Sequence, residues 1–441
     1  MAECGWDAMF VTNSRGKLLV CGTRAPHALT PNPRLLSQIR DCGNGFANAY
    51  IISVSAMLDQ QAYLSTEGDI WTCGSGQNSR IGHKDTIDRM YPALVCKEMY
   101  GNSRVVMAAC GLAHMLLLTD EMRVYGCGSS YDGQLGSGDR SIENFMKQIE
   151  LPVEPTKARV VMIAAGSFHS VAITCRGRMW TWGDNRYGQL GHGHTTDLLT
   201  PVAIERTAFG IHNIMMVSAK VYHTMALNTD GQLFVWGDNS NGQLGLGTNA
   251  NKSTPTHIDK SAFGDSDVLT FNCGPTHTLV VTTPHCSVYA FGSGRDGKLG
   301  HGDCYSSLLP RCIGAEHFSN QKITRVSAGC NHSAVVTEDG QLFVWGCSSA
   351  TGLLVGSFSP VLVPQAVTLG ARVGCFFCLP EAHALAFAMG LHVRVGAGCK
   401  YWILDDGIIR IIIELCAARP ADRICKLPGL RRMLGGGLMS P

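Results

Sequence analysis

Charge is scarce in this sequence. Asp, Glu, Lys and Arg make up 16% of its 441 residues, well under the roughly 25% of an ordinary soluble domain. Neither sign dominates, since 36 basic residues face 34 acidic ones for a formal net charge of +2. That balance excludes a global field that would draw the chain to nucleic acid or to an anionic membrane surface. Long apolar runs are missing too. The best window, 373–391, is interrupted by Pro380, Glu381 and His383, whereas a membrane span needs about 20 mostly apolar residues. Paired strands are expected there, and no span. The first ten residues carry Glu3 and Asp7 and lack a basic stretch followed by an apolar one, so no secretory signal is expected. The 19 cysteines are odd in number and scattered through apolar stretches, as at Cys73 and Cys127. Free thiols in a reducing compartment are therefore expected, which makes the chain soluble and intracellular, cytoplasmic or nuclear.

Glycine, by contrast, is plentiful, with 51 residues, and much of it is periodic. Residues 181–191 read TWGDNRYGQLG and residues 235–245 read VWGDNSNGQLG. The same frame recurs as CGSSYDGQLG at 127–136 and FGSGRDGKLG at 291–300, with weaker copies at 73–82 and 345–356. Adding the Cys-Gly at 21–22, the anchor glycines are Gly22, Gly74, Gly128, Gly183, Gly237, Gly292 and Gly346, spaced by 52, 54, 55, 54, 55 and 54 residues. Upstream of each anchor lies an apolar run that begins, in most copies, with histidine: His114, His169, His223, His277, His332 and His383, with Gln60 at the same place in an earlier copy. Short turns such as Asp230-Gly231 and Asp339-Gly340 join the two runs as a tight hairpin requires. The runs are apolar at consecutive positions, as strands buried on both faces are. After the Gly-Gln-Leu-Gly return, a polar stretch ends at Pro92, Pro152, Pro201, Pro255, Pro310 or Pro364, where proline suits an edge strand. Two hairpins per period make one four-stranded blade. The expected fold is all-β, a seven-bladed β-propeller with a repeat of about 54 residues.

These motifs, Trp-Gly-x-Asn-x-x-Gly-Gln-Leu-Gly preceded by Gly-x-x-His, resemble the repeat of the regulator of chromosome condensation family. The resemblance covers roughly residues 16–396, leaving 1–15 as an N-terminal extension and 397–441 as a divergent tail that matches no repeat. Ring closure has two readings. Strand 17–21 pairs in the last blade with 383–387, or 391–395 fills that slot and the first twenty residues lie outside. The first copy also lacks the Gly-Gln-Leu-Gly turn, reading TRAPHALTP after Gly22.

The repeat accounts for most residues that would otherwise suggest chemistry. Its histidines come from different blades, so ring symmetry spaces them around an axis instead of converging them on a metal. A hydrogen-bonding role is expected, which Gln60 also suits. Trp182, Trp236 and Trp345 stand at the anchor position and read as packing between blades. Cys375 and Cys378 near His383 lack a matching second pair for zinc, and no Ser-His-Asp or Cys-His set is brought together by the repeat. No metal, cofactor or covalent catalysis is expected.

The resemblance implies a function presented by the ring's surface. The family's founding member is a guanine-nucleotide exchange factor for a small GTPase and docks on nucleosomes; other relatives are scaffolds, some in ubiquitin ligases. A protein-interaction propeller is expected, an exchange factor or regulator for a small GTPase, with a chromatin or ubiquitin-pathway scaffold as the alternative and a monomeric state. The founding member's acidic positions just before the repeat histidine correspond here to Leu112-Ala113, Ser167-Phe168, Val221-Tyr222, Pro275-Thr276 and Cys330-Asn331. Only Asp59 and Glu381 carry a carboxylate there, and these two are the candidate partner-binding residues.

Overall fold

The computed structural model describes residues 51–152, 159–347 and 359–367, together with Ala49 and three N-terminal strands at 2–4, 8–12 and 18–22. Each repeat folds into an antiparallel four-stranded sheet in chain order. Blade 1 holds β4 (Ile51–Met57), β5 (Gln60–Ser65), β6 (Ile70–Gly74) and β7 (Arg89–Leu94); blade 2 holds β8 (Val105–Cys110), β9 (His114–Thr119), β10 (Val124–Ser129) and β11 (Ile142–Ile149). Blade 3 follows with β12 (Val160–Ala165), β13 (His169–Thr174), β14 (Met179–Gly183) and β15 (Leu198–Ala203), and blade 4 with β16 (Ile214–Lys220), β17 (His223–Asn228), β18 (Leu233–Gly237) and β19 (Lys252–His257). Blade 5 comprises β20 (Asp267–Cys273), β21 (His277–Thr283), β22 (Val288–Gly292) and β23 (Ser307–Ile313); blade 6 comprises β24 (Ile323–Ala328), β25 (His332–Thr337), β26 (Leu342–Gly346) and β27 (Val361–Val367).

First strands lie side by side around the ring, β4 by β8, β8 by β12, β12 by β16, β16 by β20 and β20 by β24. They therefore line the axis, and the histidine-bearing runs are the second strands. Second and third strands are buried almost throughout because blades stack face to face over them. The fourth strands form the rim and are mostly exposed or half-buried. Links from a fourth strand to the next blade carry a single 3-10 turn ending in a buried aromatic: Tyr100, Phe209, Phe263 and Phe318. Phe209 and Phe318 reach the anchor tryptophans of the following blade, with ring centroids 5.9 Å from Trp236 and 6.1 Å from Trp345.

The blade count differs from expectation. The described residues form six four-stranded sheets and one three-stranded sheet, β1 (Ala2–Cys4), β2 (Ala8–Thr12) and β3 (Leu18–Gly22). β1 lies against both β24 and β4, so this smaller sheet stands in the seventh place. Its register follows the repeat, with Ala8 opposite Gly22 as His169 is opposite Gly183. Strands 2–4 and 8–12 thus belong to a sheet, where the sequence suggested an extension outside the ring. Among the described residues β3 pairs with β2, its neighbour in the chain, because a hairpin closes locally before a distant strand is needed. The candidate closing strands 383–387 and 391–395, and the tail 397–441, lie outside the described residues.

Candidate functional site

One register repeats in every full blade. The residue that opens the second strand faces the anchor glycine that ends the third: Gln60–Gly74, His114–Gly128, His169–Gly183, His223–Gly237, His277–Gly292 and His332–Gly346. Gly183 has φ 102°, and a Cβ there would stand 2.5 Å from the Phe168 carbonyl. Upstream, a Cβ on Gly166 would lie 2.1 Å from the His169 ring, which is why Gly-x-x-His recurs as a unit.

From this register a stitch runs between neighbouring blades. His169 of blade 3 meets the Thr224 hydroxyl of blade 4 at 3.0 Å, and Thr224 donates to the Gln189 carbonyl of blade 3 at 2.9 Å. Since that hydroxyl proton is committed, His169 donates from Nε2. The Trp236 indole donates to the same Gln189 carbonyl at 2.8 Å. Blades 2 and 3 are joined identically through His114, Ser170, the Gln134 carbonyl and Trp182. Blades 5 and 6 use His277, Ser333, the Lys298 carbonyl and Trp345. Burial keeps these imidazoles neutral, lowering His114 and His169 to about 3 and His223 and His332 to about 4, with His277 also far down. The sequence reading missed a second ladder, His83, His192 and His301, one residue after the Leu-Gly or Ile-Gly of alternate blades. His83 and His192 contact Thr72 and Thr181 at 2.9 Å.

Two junctions depart from the stitch. Between blades 1 and 2, Gln60 donates to the Arg80 carbonyl at 2.7 Å, and the Arg80 guanidinium reaches the Leu112 carbonyl of blade 2 at 2.7 Å. Between blades 4 and 5, Phe291 replaces the anchor tryptophan and Thr278 alone holds the Gln243 carbonyl, at 2.8 Å. Neither nitrogen of the fully buried His223 has a partner.

Chain order in antiparallel sheets places two loop sets on one face of the ring, those from first to second strands and those from third to fourth. On this face, across blades 2 to 4, the variable loop positions converge. The Tyr222 ring lies 4.8 Å from Tyr187 and 6.2 Å from Phe168, and the Arg186 guanidinium sits 5.8 Å from its centroid. Arg186 also donates to Asp184 at 2.8 Å and reaches Asp132 of blade 2 at 3.4 Å. Beside it Arg140 pairs with Asp197 at 3.2 Å, and Tyr131 is 57% exposed. The hydrogen bond that Arg186 donates to Asp184 raises the Arg186 pKa, while burial, with Asp184 nearby, raises that of Asp132. A surface of tyrosine, phenylalanine and half-exposed arginine is the composition that dominates protein interfaces.

The Regulator of chromosome condensation (RCC1) repeat matches residues 67–118, 123–173, 176–227, 230–281 and 287–336, and a second form of it matches 160–189 and 323–350. The chain belongs to this family. The Ultraviolet-B receptor UVR8 of Arabidopsis thaliana is 32% identical over 309 residues, which are 70% of this chain and 67% of that protein. The E3 ubiquitin-protein ligase HERC2 of Homo sapiens is 30% identical over 337 residues, 76% of this chain but 7% of that protein. The structure of human WBSCR16 superposes with a TM-score of 0.65 at 26% identity, covering 74% of this chain and 84% of that one.

In this RCC1-repeat chain one of the two candidate carboxylates, Asp59, lies among the described residues. Asp59 lies on the exposed turn between β4 and β5, where its carbonyl accepts the Ser75 amide at 2.8 Å and its charge favours the protonated Arg80. Glu381 and His383 lie outside the described residues, as do Cys375 and Cys378. The aromatic and arginine cluster escaped the sequence reading because its members come from two kinds of loop in two neighbouring blades. The available signal was the aromatic pair Phe168 and Tyr222 in the slot just before the repeat histidine. No helix among the described residues is long and apolar enough to cross a membrane.

Proposed function

We propose that this chain is a protein-interaction propeller whose docking surface is the loop face of blades 2 to 4, centred on Arg186, Tyr187 and Tyr222. The carrying observation is the cross-blade stack of Tyr222 with Phe168, Tyr187 and Arg186. The loops of this face mix Asp132, Asp184, Asp197 and Asp238 with Arg140, Arg186, Lys220 and Arg295. A mixed rim favours a protein partner, since nucleic acid is held by clustered basic side chains. The likeness to HERC2 spans a small share of that ligase, which supports reading such propellers as modules that bring a partner to another activity.

The finer reading is guanine-nucleotide exchange on a small GTPase, achieved by binding the nucleotide-free form best and without covalent chemistry. A panel of nucleotide-free small GTPases presented to the immobilised chain, followed by release of labelled GDP, tests it. Capture of one GTPase with accelerated release supports exchange; capture without acceleration leaves the interaction surface and removes exchange. Arg186→Ala and Tyr222→Ala each weaken capture by about tenfold or more if the cluster is the docking centre. Unchanged capture in both variants moves the site elsewhere.

A further inference from the structure

Blade 4 breaks its own repeat at one residue. Where blades 2, 3, 5 and 6 place Gly111, Gly166, Gly274 and Gly329 three residues before the histidine, and blade 1 places the apolar Met57 before Gln60, blade 4 places the charged Lys220. The substitution is costly in two ways. A side chain at this position lies where the glycines leave room for the imidazole, and a Cβ on them would approach that ring to 2.1–2.6 Å. Val221, β-branched, is driven to φ 40°, a region such residues avoid. His223 itself is fully buried with neither nitrogen hydrogen-bonded, as is His332 behind Gly329.

The lysine is turned to the axis. Lys220 ends β16, a first strand of blade 4, and its Nζ donates at 3.2 Å to the carbonyl of Ala56 in β4, on the far side of the ring. Its charge also reaches Cys273 of blade 5 and His332 of blade 6. The strand ends around it are neutral: Cys110, Ala165, Cys273 and Ala328. Among the described residues no carboxylate lies within ion-pair distance of Lys220. A part-buried ammonium held by one carbonyl between low-dielectric walls attracts a carboxylate far more strongly than a surface lysine does. Tyr222, two residues along the same turn, belongs to the aromatic cluster, so the charge adjoins the docking face. Local rules broken together, with no compensation inside the fold, mark functional positions.

We propose that the axial mouth on this face receives an acidic side chain of a protein partner, with Lys220 as its counter-charge and the Tyr222 cluster gripping the flanking residues. This rests on the interaction reading of the face. The test is selection of a random dodecapeptide display library on the intact chain and on its Lys220→Gly, Lys220→Arg and Tyr222→Ala variants. Peptides selected by the parent chain carry Asp or Glu at one fixed position. A synthetic copy binds Lys220→Gly more weakly by about tenfold or more, the worth of one charge-assisted hydrogen bond, and binds Lys220→Arg nearly as well as the parent. Lys220→Gly restores the repeat's own residue, and a thermal melt at or above that of the parent excludes misfolding as the cause. Should it melt lower, Lys220→Gln carries the same comparison. Selected peptides without a fixed acidic position, equal binding to the parent and the charge-removing variant, or no selected peptide overturns the proposal. Peptides that lose binding to Tyr222→Ala but not to Lys220→Gly overturn it while leaving the docking face in place.

Discussion

His169 and His223 occupy the same place in adjacent blades, yet only the first does the work of that place. His169 completes a hydrogen-bonded chain into blade 4, whereas His223 makes no equivalent contact with Thr278. Both rings are buried, so alanine at either removes similar packing. His169→Ala should therefore cost about 1 kcal/mol more than His223→Ala, the net worth of one hydrogen bond. Urea melts of the two variants measure this difference, and equal losses would show that the Thr224 contact contributes nothing. At the same scale, Lys298 shows how a repeat position changes use. Its ammonium, lowered in pKa by burial, donates to Thr276 at 2.9 Å, to the Cys330 carbonyl at 3.2 Å and to Asn331 at 3.0 Å. It ties together two first-to-second turns where the glutamines of blades 3 and 4 instead hold Asp184 and Asp238.

The blade is an element whose third strand supplies the link to its predecessor. Trp182, Trp236 and Trp345 each donate one indole hydrogen bond backwards, and a glycine opposite, such as Gly191 or Gly300, leaves room for the ring. β22 carries Phe291 there, with Gly245 against it in the same manner, and the Gln243 carbonyl is left with Thr278 alone. Phe291→Trp should supply the missing donor and stabilise the chain by about 1 kcal/mol, seen as a higher thermal midpoint. A lower midpoint would mean that the space opposite β22 is tighter than at the other anchors.

At the scale of the whole molecule the buried histidines act together. An unfolded histidine titrates near 6.5, while His114 and His169 in the fold titrate at about 3 and His223 and His332 at about 4, chiefly through burial. Between about pH 6.5 and pH 4 the unfolded chain therefore binds protons that the ring refuses, so stability falls as pH falls. Above about pH 6.5 this contribution is fully present. Thermal melts across this range should show a midpoint that drops steeply below pH 6, with uptake of several protons on unfolding. A flat profile from pH 7 to pH 4.5 would contradict the neutral, buried state of the ladder. Among the described residues six four-stranded blades and one three-stranded sheet surround the axis, and blades 4 and 5 share the fewest stitch bonds of the fully described repeat junctions.

The repeat period, the two hairpins per blade and the recurrence of Gly-x-x-His and Trp-Gly were all legible in the sequence, because a blade is specified locally. Tight turns need glycine at fixed places, strands buried on both faces need continuous apolar runs, and both leave a mark at every period. What a single repeat cannot encode is which neighbour a side chain meets. Tertiary structure decided that the histidines lie on second strands and face the next blade's Ser or Thr. It also decided that the strands at 2–4, 8–12 and 18–22 form a three-stranded sheet in the seventh place. Only stacking brought Phe168, Tyr187, Tyr222 and Arg186 from two blades into one cluster, and only the closed ring set Lys220 against Ala56. The proposed docking surface lies where blades meet, at positions that vary from one repeat to the next, and contacts between distant residues leave no periodic trace.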